Sequence, residues 1–179
     1  ILLECGVICA ILSPAGPERS ALLSNLYNDE RTKKLETFDI LTKMYRLIPK
    51  IRINFIKHIF QDLDRIVTRE ELEKFEKKLS KHHKALTGEG ITVLEKAYIE
   101  HNIVAISKVY ETISYQTLVD ILKITETQVK NYHLQWRIVN TICAFTIAEK
   151  IIQNMIADNR LKAKLDQITK FIDISDGNE

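Results

Sequence analysis

The sequence predicts a mainly α-helical fold that ends in a winged helix with a small β-wing. The first observation is a shortage of chain-breaking residues: five glycines and three prolines among 179 residues, about 4% against a usual share of about 12%. The second is that apolar residues recur at spacings of three and four along most of the chain, as on a buried helix face. The third is a change of pattern in the last third, where two short helical segments are followed by short apolar runs. All-β sandwiches and barrels, which need many tight turns, are disfavoured.

The first predicted helix covers the apolar run from Ile1 to Leu12. It lacks the basic region of a signal peptide and contains Glu4, so we interpret it as a buried helix that begins upstream in a longer chain. The segment 13–17 breaks it, and Pro17 suits the first position of the next helix, where a missing N–H costs nothing. Further apolar positions at helical spacing are Leu22, Leu23, Leu26, Tyr27, Leu35, Phe38, Leu41 and Tyr45.

Two capping boxes predict the start of later helices. Thr68 with Glu71, and Thr92 with Glu95, each allow a side chain to satisfy the other residue's free backbone donor. The first helix should bury Leu72, Phe75 and Leu79. The second should run within 91–110, with an apolar stripe of Ile99, Ile103, Ile106 and Tyr110.

The last third predicts the winged helix. A short helix over 114–122 is followed at once by Thr125 and Gln128, another capping signature, and this tight connection is typical of a helix-turn-helix. The apolar positions around Thr169 and Lys170 favour a two-stranded wing.

No residue pattern in the sequence supports a catalytic, cofactor-binding or metal site. His82 and His83 lack the spacing of a metal-binding helix. Glu100, His101 and Asn102 (100–102) are adjacent on one helix and cannot converge on one substrate, so we expect hydrogen-bonded structural roles for them. Cys5 and Cys9 lie on an apolar helix without a basic activator, and we expect them to be buried. Three cysteines without metal-type spacing are typical of a reduced, intracellular protein.

The charge pattern favours a protein partner over a nucleic acid. The net charge is only +2, and Asp166 and Asp173 offset the positive charge of the wing lysines. A helix that binds DNA needs basic residues to contact the phosphates. Apolar wing strands suit edge-to-edge sheet pairing with another protein. The predicted partner-binding residues are Leu165, Ile168, Phe171, Ile172 and Ile174.

Several separated blocks of the sequence resemble one known family. The blocks are 9–20 (Cys-Ala-Ile-Leu-Ser-Pro-Ala-Gly-Pro-Glu-Arg-Ser), 26–31, 63–66, 99–102, 107–110, 113–115 and 148–151. In that order they resemble the subunit-four family of the COP9 signalosome, whose members are PCI-domain proteins. The resemblance implies a helical-repeat array leading into a winged helix, the PCI domain.

The resemblance also implies a function. It suggests a non-catalytic scaffold subunit, without cofactor, small-molecule substrate or membrane contact, that pairs with other PCI-domain subunits in the cytoplasm and nucleus. The complex removes a ubiquitin-like modifier from cullins (deneddylation), with its metalloprotease centre in a different subunit. The alternatives are a subunit of another PCI complex, the proteasome lid or translation initiation factor three, and a winged-helix nucleic-acid-binding protein.

Two segments depart from the family pattern, 46–62 and 129–147. We interpret them as atypical insertions, either lineage-specific loops or retained introns, and they carry an excess of three and two positive charges, respectively. The second must be looped out or must lengthen a helix. The predicted division is therefore a helical part over 1–110, a winged-helix part over 111–175 and a polar tail over 176–179.

Overall fold

The computed structural model describes residues 2–45, 66–88, 91–122 and 136–174, and the fold is mainly helical, as predicted. The helices are α1 (Leu2–Leu12), α2 (Pro17–Asn28), α3 (Phe38–Tyr45), α4 (Arg69–Glu76), α5 (Val93–Ile106), α6 (Tyr115–Leu122) and α7 (Trp136–Ala157). Two short 3-10 turns cover Thr32–Lys34 and Lys81–Lys84. The strands are β1 (Thr112–Ser114), β2 (Lys164–Asp166) and β3 (Phe171–Asp173), in one antiparallel sheet of order β1-β3-β2.

The first three helices pack as a layer, with α2 against both α1 and α3. Pro17 occupies the start of α2, as predicted. The Tyr27 ring stacks on Tyr45 at a centroid distance of 4.2 Å and on Phe38 at 5.8 Å, which joins α2 to α3.

Two expectations about burial in this layer are wrong. Cys5 and Cys9 are exposed, because α1 turns Val7, Ile8 and Ile11 inward and leaves the opposite side open. Leu22 is 47% exposed, since α2 buries the neighbouring Leu23 instead.

Both capping boxes are confirmed. The Thr68 hydroxyl accepts from the Glu71 N–H while the Glu71 carboxylate accepts from the Thr68 N–H, and Thr92 with Glu95 repeats the arrangement at the start of α5. The helices they open bury Leu72, Phe75, Ile99, Ile103 and Ile106 as expected. Leu79 is also buried but follows the end of α4 at Glu76, and Tyr110 is half-buried beyond the end of α5 at Ile106.

The winged helix contains a strand that the sequence pattern did not predict. The helix expected from Ser114 begins at Tyr115, and Thr112–Ser114 pairs with β3 as a third strand. The candidate insertion 46–62 lies outside the described residues. Of the candidate insertion 129–147, the backbone of 136–147 is helical and continuous with the rest of α7, so this part is not looped out.

The end of α7 reverses the chain toward the wing. Asn159 adopts a left-handed conformation, with φ of 54°, which asparagine tolerates better than most residues. The N–H of Arg160 donates to the Met155 carbonyl and that of Asn159 to Ile156, the paired hydrogen bonds of a Schellman motif. This turn directs the Arg160 side chain back toward α5.

A buried carboxylate on α5 receives that arginine. Glu100 is 1% exposed, and its Oε2 accepts from Arg160 Nη1 at 2.7 Å and from the Ala15 N–H at 2.8 Å. Arg160 Nη1 also donates to the Ala15 carbonyl, at 3.2 Å. We call Ala15, Glu100 and Arg160 the Glu100 junction; it joins three segments that are far apart in sequence.

The next polar residue of α5 ties down another connection. Asn102 is fully buried; its Oδ1 accepts from the Val67 N–H at 3.0 Å and its Nδ2 donates to the Val67 carbonyl at 3.1 Å. The expected hydrogen-bonded roles of Glu100 and Asn102 are therefore observed.

We predict that Glu100→Gln lowers the free energy of unfolding by about 3 kcal/mol, because it leaves a largely buried arginine without its carboxylate. The measurement is urea unfolding followed by circular dichroism. Asp158→Asn is the matched control: Asp158 binds the same guanidinium at 2.9 Å but its side chain is 59% exposed, so the change should stay within about 0.5 kcal/mol. Equal losses in the two variants would contradict the assigned role of Glu100.

Candidate partner-binding surface

The short strands of the wing place alternate side chains on opposite faces of the sheet. Ile172 of β3 pairs with Ile113 of β1 and with Leu165 of β2. Ile172 and Ile113 are 2% and 3% exposed and belong to the core, whereas Phe171 on the other face is 45% exposed. One face of the wing therefore supports the fold and the other faces solvent.

The turn between β2 and β3 presents an isoleucine to solvent on an ordered backbone. Asp166 Oδ1 accepts from the Ile168 N–H at 2.9 Å and from the Thr169 N–H at 3.1 Å. A hydrogen bond from the Thr169 side chain, followed by those from the Thr169 and Ile168 N–H groups, holds the pKa of Asp166 below its usual range. Gln167 donates to Glu149, which ties the turn to α7. Ile168, between these anchors, is 94% exposed.

A cleft of ≈ 500 Å³ lies beside the turn, between α6, α7 and β3. Its apolar wall contains Tyr115, Phe145 and Phe171, with the Tyr115 and Phe145 rings 6.4 Å apart. The Lys170 ammonium lies 5.8 Å from the centroid of the Tyr115 ring, a cation–π contact. Burial raises the pKa of Tyr115, and the charges of Glu149 and Asp166 act in the same direction.

The structure separates the five residues proposed from sequence. Ile168 and Phe171 are exposed on the solvent side of the wing, Leu165 and Ile174 are half-buried against the core, and Ile172 is inside it. Ile168 and Phe171, together with the adjoining cleft, form what we call the wing surface. Sequence patterns do not identify Tyr115 and Phe145 as part of this surface, because Phe145 falls in the candidate insertion 129–147 and Tyr115 in the helix predicted over 114–122.

The other candidate residues do not form a second site among the described residues. Within the described ranges no group of three or more His, Cys, Asp or Glu side chains is arranged to hold a metal ion. The side chain of His82 lies outside the described residues, and His101 is buried next to Glu100. None of the described helices is both long enough and apolar enough to cross a membrane.

A layer of helices followed by a winged helix defines a class of helical domain whose apolar wing is suited to protein contacts. Residues 32–176 match the family model described as "PCI domain", and the chain belongs to that family. This agrees with the resemblance carried by the sequence blocks, and with the mainly helical fold and winged helix expected from it.

Several curated relatives share one name. The chain is similar to "COP9 signalosome complex subunit 4" of Dictyostelium discoideum, with 34% identity over 95% of this chain and 34% of that protein. The protein of the same name from Neurospora crassa is 36% identical over 99% of this chain and 32% of its own length. That from Drosophila melanogaster is 32% identical over 95% and 33%. The chain thus spans about a third of the length of the curated relatives it matches.

We predict that Asp166→Ala loosens the wing turn without unfolding the domain. The change removes the acceptor of two backbone N–H groups, and amide hydrogen exchange should accelerate at Ile168 and Thr169 while α5 keeps its protection.

Because the pKa of Asp166 is lowered by folding, the bonds it makes are complete at neutral pH and are lost as pH falls through that lowered value. In the wild type, faster exchange in this turn should therefore appear only below the usual aspartate range, after correction for intrinsic rates. An unchanged exchange profile in Asp166→Ala would contradict the role of Asp166 in ordering the turn.

Proposed function

We propose that the chain is the PCI-domain portion of a signalosome subunit and acts there as a non-catalytic scaffold. Its partners are other PCI-domain subunits of the complex that removes the ubiquitin-like modifier from cullins, in the cytoplasm and nucleus. The observation that carries the proposal is the similarity to subunit 4 proteins of several organisms across 95–99% of this chain.

The geometry of the wing supports contact with another protein. An exposed isoleucine on an ordered turn loses little conformational entropy on binding, which is what an interface anchor requires. Phe171 and the adjoining cleft extend the apolar area around Ile168. The strands β1 and β2 each pair with β3 on one side, and the other side of either could add a partner strand.

The charge around the wing supports a protein partner over nucleic acid. The sheet alternates the sign of its charged groups, with Lys164 paired across to Asp173 and Asp166 beside it in β2. A nucleic-acid surface needs concentrated positive charge for phosphate contacts.

We predict that Ile168→Asp and Phe171→Asp each weaken binding to PCI-domain signalosome subunits by about tenfold or more, because each places a charge in an apolar contact. The measurement is co-purification, then titration calorimetry, with purified subunits. Leu86→Asp is the matched control, since Leu86 is 73% exposed, lies in the loop before α5 and does not line the cleft of the wing surface. Circular dichroism should show all three variants folded.

Two outcomes would contradict the proposal. If the wild type binds and both wing variants bind equally well, the wing surface is not part of the interface. Binding to duplex DNA that falls steeply with salt, without binding to any PCI-domain subunit, would favour the nucleic-acid alternative.

A further inference from the structure

The cleft of ≈ 500 Å³ between α6, α7 and β3, which we call the wing cleft, is not purely apolar. The rings of Phe145 and Phe171 form part of its wall, but two charged side chains, Glu149 and Lys170, also line it. Glu149 and Phe145 are half-buried, whereas Lys170 and Phe171 are exposed. A side chain that enters the cleft therefore meets a partly desolvated carboxylate as well as aromatic rings.

The carboxylate of Glu149 is surrounded by neutral donors. Its Oε1 accepts from the Gln153 amide at 3.2 Å and from the Gln167 amide of the wing turn. Among the residues that the structure describes, no lysine, arginine or histidine forms an ion pair with Glu149. Burial raises the pKa of Tyr115 in the wall of the cleft, and the negative charges of Glu149 and Asp166 raise it further. Two carboxylates thus act on this wall, which favours a cationic occupant.

A cation of the chain itself already lies against this wall. The Lys170 ammonium is 5.8 Å from the centroid of the Tyr115 ring, close to the outer limit of a cation–π contact. Lys170 is exposed and forms no ion pair with another described residue. Its side chain can therefore move aside at little cost when a second cation arrives.

An arginine side chain fits the wing cleft better than an apolar or an acidic one. A purely apolar side chain would cover the Glu149 carboxylate without supplying a counter-charge, which is unfavourable. An acidic side chain could pair with Lys170 but would lie close to the charges of Glu149 and Asp166. A guanidinium is planar, stacks on aromatic rings and donates to a carboxylate at the same time.

We propose that the wing cleft receives an arginine side chain of a partner subunit, which packs along Phe145 and Phe171 and donates to Glu149. Lys170 moves away from the cleft as the arginine binds, because the two like charges would otherwise lie close together. The partner is a PCI-domain subunit of the signalosome, so this inference rests on the proposed function.

The first experiment titrates purified PCI-domain signalosome subunits into the full 179-residue chain by calorimetry. Glu149→Gln should weaken the affinity about tenfold, because the amide oxygen can still accept from the glutamines but no longer carries the charge. Lys170→Gln should strengthen the affinity about twofold, since it removes a like charge from the cleft. Glu70→Gln and Lys34→Gln make the same changes of charge at exposed positions outside the cleft and should leave the affinity unchanged.

Two results of this titration would overturn the arginine site while leaving the proposed function intact. One is equal affinity of the wild type and Glu149→Gln for subunits that bind. The other is weaker binding by Lys170→Gln, because the occupant of the cleft would then be acidic.

A second experiment does not depend on the subunits. Acetyl-arginine amide, titrated into the isotope-labelled full chain, should shift the NMR signals of Phe145, Glu149 and Phe171. Acetyl-citrulline amide, its uncharged isostere, should not. If no PCI-domain subunit binds the wild-type chain, the proposed function fails and this titration decides on the cleft: equal shifts with the two amides, or none, would overturn the arginine site.

Discussion

The carboxylate of Glu100 holds together three segments that the chain brings from opposite ends, and the rest of the structure depends on it. It accepts from the Ala15 N–H before α2 and from Arg160 after α7, at 2.8 and 2.7 Å. Without that partner, Arg160 would be a charge largely removed from water, which is unfavourable. The same contact therefore connects the helical layer to the segment that leads into the wing.

Much of the fold can be predicted from the sequence because the residues that determine it are close together in the chain. The two capping boxes, the proline at the start of α2 and the apolar spacing of α4 and α5 each depend on residues within one or two turns of helix. The third strand of the wing cannot be predicted from local sequence patterns. Thr112–Ser114 is only three residues long, and it becomes a strand by pairing with β3, which lies some 60 residues later in the chain.

The wing surface is only partly predictable for a related reason. Composition identified the apolar wing, but the face on which each side chain lies depends on strand register, which places Ile172 inside and Phe171 outside. The cleft beside Phe171 needs Phe145 from α7 and Tyr115 from α6. Those residues meet only in the folded domain. Likewise, the sequence blocks around Ala15 and Glu100 carried the family resemblance, but their contact with each other appears only in the structure.

We propose that the wing surface pairs this PCI domain with other PCI-domain subunits of the signalosome. The most direct measurement is hydrogen–deuterium exchange of the chain alone and in complex with purified PCI-domain signalosome subunits. We expect slower exchange across the wing, residues 164–173, and at β1, with little change in α1 to α3. Protection confined to the helical layer, with unchanged exchange in the wing of a fully formed complex, would contradict it.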